Sequence, residues 1–222
     1  MKKVEKRYIY WDLDGTIWQH KQHEVELIAR HLQIPYSIKL EEEFFYMIGE
    51  FNRCFATQKV TQEGICAIIE RTMLELLSAG ITGREFLDGW CNTDCNTINE
   101  NAEYVLRTLK DAGKQNNALT DWLFERQITQ LKDFGIFDYM EKIYSCEGYY
   151  LKKNPLSIAR VIKPKNREDS ILIGDSLSSD IAFANNAGID SIWFNPNRTK
   201  NLTSLKPTFE ITSLLEVLDI IQ

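Results

Sequence analysis

Two aspartates separated by one residue, Asp12 and Asp14, are the first side chains whose spacing suggests chemistry. They follow the apolar run 8–11 and precede Gly15. On an extended chain, residues i and i+2 point to the same side, so both carboxylates would face one ligand. Two like charges this close favour either a bound cation or a proton on one of them. The same pattern is also typical of an ordinary Asp-Gly surface turn.

A second pair of acids, Asp175 and Asp180, follows another apolar run that ends at Gly174. Carboxylates contributed by two strand ends suit Mg²⁺, which takes one or two carboxylate ligands and keeps several waters. An alternative role for Asp180 is to cap the helix that follows it. The two acid pairs together therefore indicate a candidate magnesium site.

Thr120 and Lys152 lie between the two acid pairs in the sequence. The equatorial oxygens of a phosphoryl group need a hydroxyl donor and an ammonium as charge shifts during transfer. Each residue alone is common on protein surfaces. The combination with the acids is what makes phosphoryl chemistry the interpretation.

The elements that must position these residues alternate along the chain. Short apolar runs predict strands at 8–11, 142–146, 170–173 and 191–194. The polar segment 114–119 is predicted as a further strand from its position more than from its pattern. Helical spacing predicts helices at 102–112, 122–134, 155–162 and 179–187. The alternation predicts an α/β fold with a doubly wound parallel sheet, whose ligands bind beyond the carboxyl ends of the strands.

The segment between about Trp18 and Trp90 departs from the alternation. It contains no convincing strand and has helical stretches such as 40–55 and 64–79. A helical segment inserted directly after the first strand predicts a separate domain. We therefore predict a core formed by residues 1–17 and 96–222, with a helical cap at 18–95.

The order of the motifs resembles the haloacid dehalogenase (HAD) superfamily. The chain reads Asp-x-Asp-Gly-Thr at 12–16, then Thr120, then Lys152, and then Gly-Asp-x₄-Asp at 174–180. The resemblance covers the whole chain, because the helical insertion is similar to the C1 cap of that superfamily. It implies a HAD-like Rossmannoid core.

The resemblance implies a role for each candidate residue. Asp12 would be the nucleophile that forms an aspartyl phosphate, and Asp14 the general acid and base. Lys152 is preferred to Lys153, because Lys-Lys-Asn-Pro is similar to the family's Lys-Pro-Asp/Asn-Pro. The residues predicted to hold Mg²⁺ are Asp12, Asp14 through its carbonyl, Asp175 and Asp180. The residues predicted to bind the substrate are Thr120, Asp121, Lys152 and Arg53.

One of these residues departs from the family pattern. Asp121 stands where the family commonly has Asn, and it would add negative charge beside a phosphate pocket. That charge would either weaken substrate binding or be turned away from the pocket.

The implied reaction is the Mg²⁺-dependent hydrolysis of a phosphomonoester. The chain also resembles the noncanonical pyrimidine nucleotidases at Trp18, the run 51–55, Val60-Thr61, Arg71 and the segment 188–196. This resemblance implies a nucleoside 5′-monophosphate as substrate. Arg53, within that run, would contact the substrate or lie on a solvated helix face. The alternatives are a sugar-phosphate phosphatase, a phosphomutase of the β-phosphoglucomutase kind, and a non-catalytic binding protein that kept the fold.

Composition limits the partners and the location. The 222 residues include 26 Lys and Arg against 32 Asp and Glu, a net charge of −6, which argues against binding a nucleic-acid polymer. The five cysteines lack CxxC spacing, so we expect reduced thiols in the cytoplasm. No apolar run reaches the roughly 18 residues of a membrane span. We expect a soluble monomer or homodimer that acts on a small phosphorylated metabolite.

Overall fold

The computed structural model describes residues 3–152 and 154–222, so Lys153, the alternative to Lys152, lies outside the described residues. The chain forms two compact units. The sheet unit consists of Met1–Gln19, Ile98–Cys146 and Leu151–Gln222, and the helical unit consists of His20–Thr97 and Glu147–Tyr150.

The strands and helices follow in this order. The strands are β1 (Tyr8–Trp11), β2 (Trp18–His20), β3 (Asn96–Ile98), β4 (Gln115–Thr120), β5 (Lys142–Ser145), β6 (Ser170–Gly174), β7 (Asp190–Phe194) and β8 (Phe209–Ile211). The helices are α1 (Glu24–His31), α2 (Ile38–Cys54), α3 (Gln62–Thr72), α4 (Leu74–Ser78), α5 (Gly83–Asn92), α6 (Ala102–Asp111), α7 (Phe124–Asp133), α8 (Pro155–Val161), α9 (Ala182–Ala187) and α10 (Val217–Ile220). A π-helical turn, Leu177–Ile181, precedes α9.

The sheet unit is built on a six-stranded sheet in the order β5-β4-β1-β6-β7-β8. Every neighbouring pair is parallel. The strand order reverses on either side of β1, as in doubly wound folds. The predicted α/β class with a parallel sheet is confirmed.

Alternate residues of the central strands face two separate cores. Ile9 and Ile171 belong to the core that includes residues of α6 and α10. Tyr10 and Leu172 belong to the core that includes residues of α8 and α9. A strand with apolar residues on both sides is buried on both faces, which is why β1 and β6 read as continuous apolar runs.

The polar strand β4 is buried because its amides are hydrogen-bonded. The Asn116 Oδ1 accepts a hydrogen bond from Trp11 Nε1 at 3.0 Å, and its Nδ2 donates to the Leu106 carbonyl at 2.9 Å. The Asn117 Nδ2 donates to the Gln115 carbonyl at 2.9 Å. Burial of amides that have hydrogen-bond partners costs little free energy, so this polar segment can form a buried strand. The strand begins and ends one residue later than the predicted 114–119.

The helical unit is mainly helical, but the expectation that no strand lies between 18 and 90 is wrong at β2. This strand has only three residues and pairs with β3 in a two-stranded sheet. The helix predicted at 64–79 is two helices, α3 and α4, which are separated at Met73. Among the described residues, no helix is both long and apolar enough to cross a membrane.

A short segment downstream in the chain completes the helical unit. Glu147–Tyr150 belongs to it, although β5 ends at Ser145 in the sheet unit. The Val60 amide donates to the Tyr149 carbonyl at 2.7 Å, and the Gly148 amide donates to the Val60 carbonyl at 2.8 Å. The segment thus pairs with the loop before α3.

Candidate active site

Two neighbouring strands bring the acid pairs together. β1 pairs with β6 in parallel, with Trp11 opposite Ile173, and the Asp12 amide donates to the Ile173 carbonyl at 2.9 Å. Because parallel strands end at the same edge of a sheet, Asp12 and Asp175 leave it side by side.

Two glycines allow the carboxylates to approach the backbone. Gly15 has φ of +90°, and a Cβ there would lie 2.6 Å from the Asp175 Oδ2. A Cβ at Gly174 would lie 2.3 Å from the Asp180 Cγ. A side chain at either position would displace an acid, and Gly15 also needs a conformation that favours glycine.

A buried lysine joins two of the carboxylates. Lys152 Nζ donates hydrogen bonds to the Asp12 Oδ1 and, at 2.7 Å, to the Asp180 Oδ1. Burial lowers the pKa of Lys152, but the charges of Asp12 and Asp180 outweigh it and hold the pKa well above its usual value. The lysine is therefore charged in this cluster.

The negative charge of the carboxylates exceeds the positive charge in the cluster. Ligand oxygens of Asp12, Asp175 and Asp180 all lie within 4.8 Å of one another. Burial and the charge of Asp180 raise the pKa of Asp12 well above its ordinary range. The same two causes raise the pKa of Asp175 to about 6. Three carboxylates against one ammonium, with hard oxygen donors, form a donor set that fits a divalent cation such as Mg²⁺.

The Asp14 side chain contacts residues outside the cluster of Asp12, Asp175 and Asp180. Its Oδ1 accepts a hydrogen bond from Trp18 Nε1 at 2.8 Å, and its Oδ2 accepts one from Gln127 Nε2 at 2.7 Å. Of the residues predicted to hold the metal, Asp14 is thus the one whose carboxylate lies outside the ligand cluster. Ligation through its carbonyl stays a prediction.

Thr120 is buried at the end of β4. Its Oγ1 accepts hydrogen bonds from the Trp122 amide at 3.1 Å and from Gln127 Nε2 at 3.2 Å. Because both contacts are donated to Oγ1, the hydroxyl hydrogen is directed elsewhere and can be donated to a ligand.

Comparison with known proteins identifies the family. Residues 9–194 match the model of the haloacid dehalogenase-like hydrolase family. The chain belongs to this family. The predicted family and enzyme class, a hydrolase, are confirmed.

Individual relatives of this HAD-family hydrolase match different lengths of the chain. Pyrimidine 5′-nucleotidase PynA of Streptococcus pneumoniae is 34% identical over 46% of this chain and 45% of its own length. Ribulose-1,5-bisphosphate 5-phosphatase of Halopiger xanaduensis is 28% identical over 46% of this chain and 44% of its own length. These two alignments span about half the length of the relatives concerned.

A relative with a solved structure matches nearly the whole chain. The HAD-hydrolase YfnB of Bacillus subtilis is 23% identical over 97% of this chain and 96% of its own length. Its magnesium-bound crystal structure has a TM-score of 0.74, with 22% identity, and covers 97% of this chain and 98% of YfnB. At this identity, the likeness shows a common fold.

Asp121 has hydrogen-bond partners for both carboxylate oxygens in this HAD-family hydrolase. Its Oδ1 accepts from the Lys152 amide at 2.7 Å, and its Oδ2 accepts from the Ser179 hydroxyl at 2.9 Å. Burial raises the pKa of Asp121, and the charge of Lys152 opposes that shift. Asp121 therefore ties the Lys152 segment to the turn after β6, and its predicted contact with the substrate stays a prediction.

We expect Asp121→Asn to retain kcat/KM within about 3-fold, because Asn can accept from the Lys152 amide and donate to the Ser179 hydroxyl. Asp121→Leu removes both contacts. It should lower kcat/KM by about 10-fold or more and cost about 1–3 kcal/mol of unfolding free energy, since polar groups lose their partners. Steady-state kinetics and thermal melting of both variants check this. Equal behaviour of the two variants would contradict a tethering role.

Arg53 lies on α2 in the helical unit. Its Nε and Nη2 donate to the two Glu50 carboxylate oxygens at 2.7 and 2.6 Å, and Arg71 donates to the same carboxylate at 3.1 Å. Its predicted contact with the substrate stays a prediction.

Gln127 is the site residue that sequence reasoning missed. It is 1% exposed and lies on α7, seven residues after Thr120. Its signal in the sequence is a polar residue on the buried face of a predicted helix, but that signal does not identify Asp14 as its partner. Thr16 belongs to the predicted motif, and its hydroxyl donates to the Asp12 Oδ2 at 3.1 Å.

Proposed function

We propose that this HAD-family hydrolase is a Mg²⁺-dependent phosphomonoesterase that acts through a phosphate ester of Asp12. The observation that carries the proposal is the cluster of Asp12, Asp175 and Asp180 around the buried Lys152 ammonium. A nucleophilic carboxylate, a cation site and a phosphate-binding ammonium are the components that such a reaction needs.

Asp12, Asp175 and Asp180 are the side chains that would hold Mg²⁺. The cation, when bound, would offset the repulsion between the anionic phosphate and the carboxylates. The Lys152 ammonium would offset the same repulsion. It has three N–H donors, and two of them contact Asp12 and Asp180, which leaves the third for a phosphoryl oxygen.

In the first step, an Asp12 carboxylate oxygen forms a bond to phosphorus as the bond between phosphorus and the ester oxygen breaks. Protonated Asp14 gives its proton to the leaving oxygen. The Thr120 hydroxyl and Lys152 donate hydrogen bonds to the phosphoryl oxygens as charge shifts onto them.

In the second step, Asp14 takes a proton from the water that attacks phosphorus. The bond between phosphorus and the Asp12 oxygen breaks, which releases inorganic phosphate and restores the Asp12 carboxylate. Asp14 is then protonated again for the next ester.

We propose a nucleoside 5′-monophosphate as the substrate class, with substrate selection by the helical unit acting as a cap. The similarity to a pyrimidine 5′-nucleotidase supports this class. A sugar phosphate is the second candidate, because a ribulose-bisphosphate phosphatase also matches part of the chain.

The test is phosphate release from p-nitrophenyl phosphate, pyrimidine and purine nucleoside monophosphates, and pentose phosphates, each with Mg²⁺ and with chelator. We expect Mg²⁺-dependent release and the highest kcat/KM for a nucleoside monophosphate. A preference for pentose phosphates would select the second candidate, and an isomer without phosphate release would indicate a mutase. Full activity after chelation would contradict the metal assignment.

We expect Mg²⁺ to raise the melting temperature more at pH 7.5 than at pH 5. The metal-free folded state binds protons more tightly than the unfolded chain, because the pKa of Asp175 is about 6 instead of 3.8. Protonation of Asp175 therefore stabilises the metal-free folded state. This stabilisation is complete below about pH 4 and is lost as the pH rises through 6. The cation replaces the proton, and at about 100 times its Kd it should add about 2.7 kcal/mol.

Thermal melting at both pH values with and without Mg²⁺ measures this effect, and we expect a rise of about 5–10 °C at pH 7.5. Asp175→Asn is the control, since it replaces a carboxylate ligand by a neutral, weaker amide ligand with little change in shape. An equal Mg²⁺ effect at both pH values, or an undiminished effect in Asp175→Asn, would contradict the prediction.

A further inference from the structure

Gln127 connects two residues that the proposed function places in different roles. It lies in the first half of α7 and is 1% exposed. Its Nε2 donates to the Asp14 Oδ2 at 2.7 Å and to the Thr120 Oγ1 at 3.2 Å. One amide group thus contacts both the proposed acid and base and the proposed phosphate ligand.

The Gln127 amide directs its NH₂ group at both contacts, because the Asp14 Oδ2 and the Thr120 Oγ1 each accept a hydrogen bond from Nε2. The Oε1 is then buried, and no donor in residues 3–152 or 154–222 reaches it. A buried acceptor without a partner is unfavourable, so packing of α7 alone would favour an apolar residue here. The contact with Asp14 and Thr120 is the feature that an apolar residue could not supply.

A second buried donor holds the other oxygen of Asp14. Trp18 Nε1 donates to the Asp14 Oδ1 at 2.8 Å. The Trp18 side chain is fully buried, and its ring packs against Phe134 with a centroid separation of 5.7 Å. Asp14 therefore accepts hydrogen bonds at both oxygens from buried side chains of β2 and α7.

We propose that Gln127 is a positioning residue that fixes the Asp14 carboxylate relative to the Thr120 hydroxyl. The ester oxygen that receives the proton and the phosphoryl oxygen that Thr120 binds belong to the same substrate, so their two partners must keep a set separation. This inference rests on the proposed phosphatase reaction. A displaced Asp14 should cost about 10- to 10²-fold in the rate of a step that needs its proton.

The test is single-turnover kinetics of Gln127→Met with two substrates. The first-step rate should fall about 10- to 10²-fold for a nucleoside monophosphate and clearly less for p-nitrophenyl phosphate, whose leaving group needs less protonation. In an Asp14→Asn background, Gln127→Met should cost no more than about 3-fold, because the positioned group is already absent. Gln130→Met, at a buried glutamine one turn later, is the matched control for loss of an amide on α7.

Equal losses for both substrates, or losses that multiply with Asp14→Asn, would overturn the positioning role. Gln127→Asn provides a second variant if Gln127→Met does not fold, because its shorter side chain keeps the amide but draws it away from Asp14. A wild-type protein that releases phosphate from neither ester would overturn the proposed function instead. The crystal structure of Gln127→Met would then decide the inference, since an unmoved Asp14 side chain would overturn it and a rotated one would support it.

Discussion

Asp12→Asn is expected to lower the rate of phosphate release by about 10⁴-fold or more while the protein remains folded. The amide that replaces the carboxylate is a poor nucleophile for phosphorus and a weaker ligand for Mg²⁺. The loss should be large for every phosphate ester, because the bond from Asp12 to phosphorus forms in the first step whatever the leaving group is. Stopped-flow or discontinuous measurement of phosphate release gives the rate.

The folded state should tolerate this change. Asn has nearly the shape of Asp, and Lys152 keeps its contact with the Asp180 carboxylate at 2.7 Å. The ionised Asp12 is also unfavourable without metal, since burial and Asp180 raise its pKa. We therefore expect the metal-free melting temperature at pH 7.5 to be unchanged or higher.

Asp190→Asn is a matched control for the loss of a carboxylate that contacts a lysine. Asp190 lies at the start of β7 and forms an ion pair with Lys6 at 2.7 Å, at the amino ends of the strands. This variant should retain activity and lose some stability. Near-normal turnover by Asp12→Asn would remove Asp12 from the nucleophile role.

Asp14→Asn is expected to lose about 10²- to 10⁴-fold in rate through the missing proton transfers. Its Mg²⁺ affinity should change little, because the Asp14 carboxylate lies outside the cluster of ligand oxygens. The first step should suffer less with p-nitrophenyl phosphate than with a nucleoside monophosphate. The second step lacks its base with either substrate, so a burst of leaving group should precede slow turnover.

Single-turnover experiments with both esters separate the two steps, and a melting titration with Mg²⁺ reports the affinity. Equal first-step losses for the two esters would show that Asp14 is not the acid. A large loss of Mg²⁺ affinity would place its carboxylate among the ligands.

The parts of the fold that could be predicted are those that local pattern determines. β1 and β6 are buried on both faces, so they read as apolar runs that end at Asp12 and Asp175. β2 and β8 have three residues each, too few for a pattern to be recognised. The break at Met73 was missed because the apolar spacing continues through it.

The contacts within the candidate site were less predictable than its residue types. Asp121 bonds to the Lys152 amide 31 positions away, and Gln127 reaches Asp14 across 113 positions. Such contacts depend on the arrangement of strands in the sheet, which no local spacing contains. The chemistry of Asp121 was therefore left open by the sequence, whereas the structure shows where both of its oxygens lie.

The segment Glu147–Tyr150 has a consequence for anyone who exchanges parts of this chain with a relative. The chain passes between the two units at 19/20, 97/98, 146/147 and 150/151, so the helical unit is discontinuous in sequence. A chimaera that imports only residues 20–97 would place the loop at Val60 against the corresponding tetrapeptide of the recipient protein. That tetrapeptide evolved next to a different loop, and the two hydrogen bonds to Val60 would depend on its backbone. The transplantable piece is both segments together, and recombination between relatives would have to carry both.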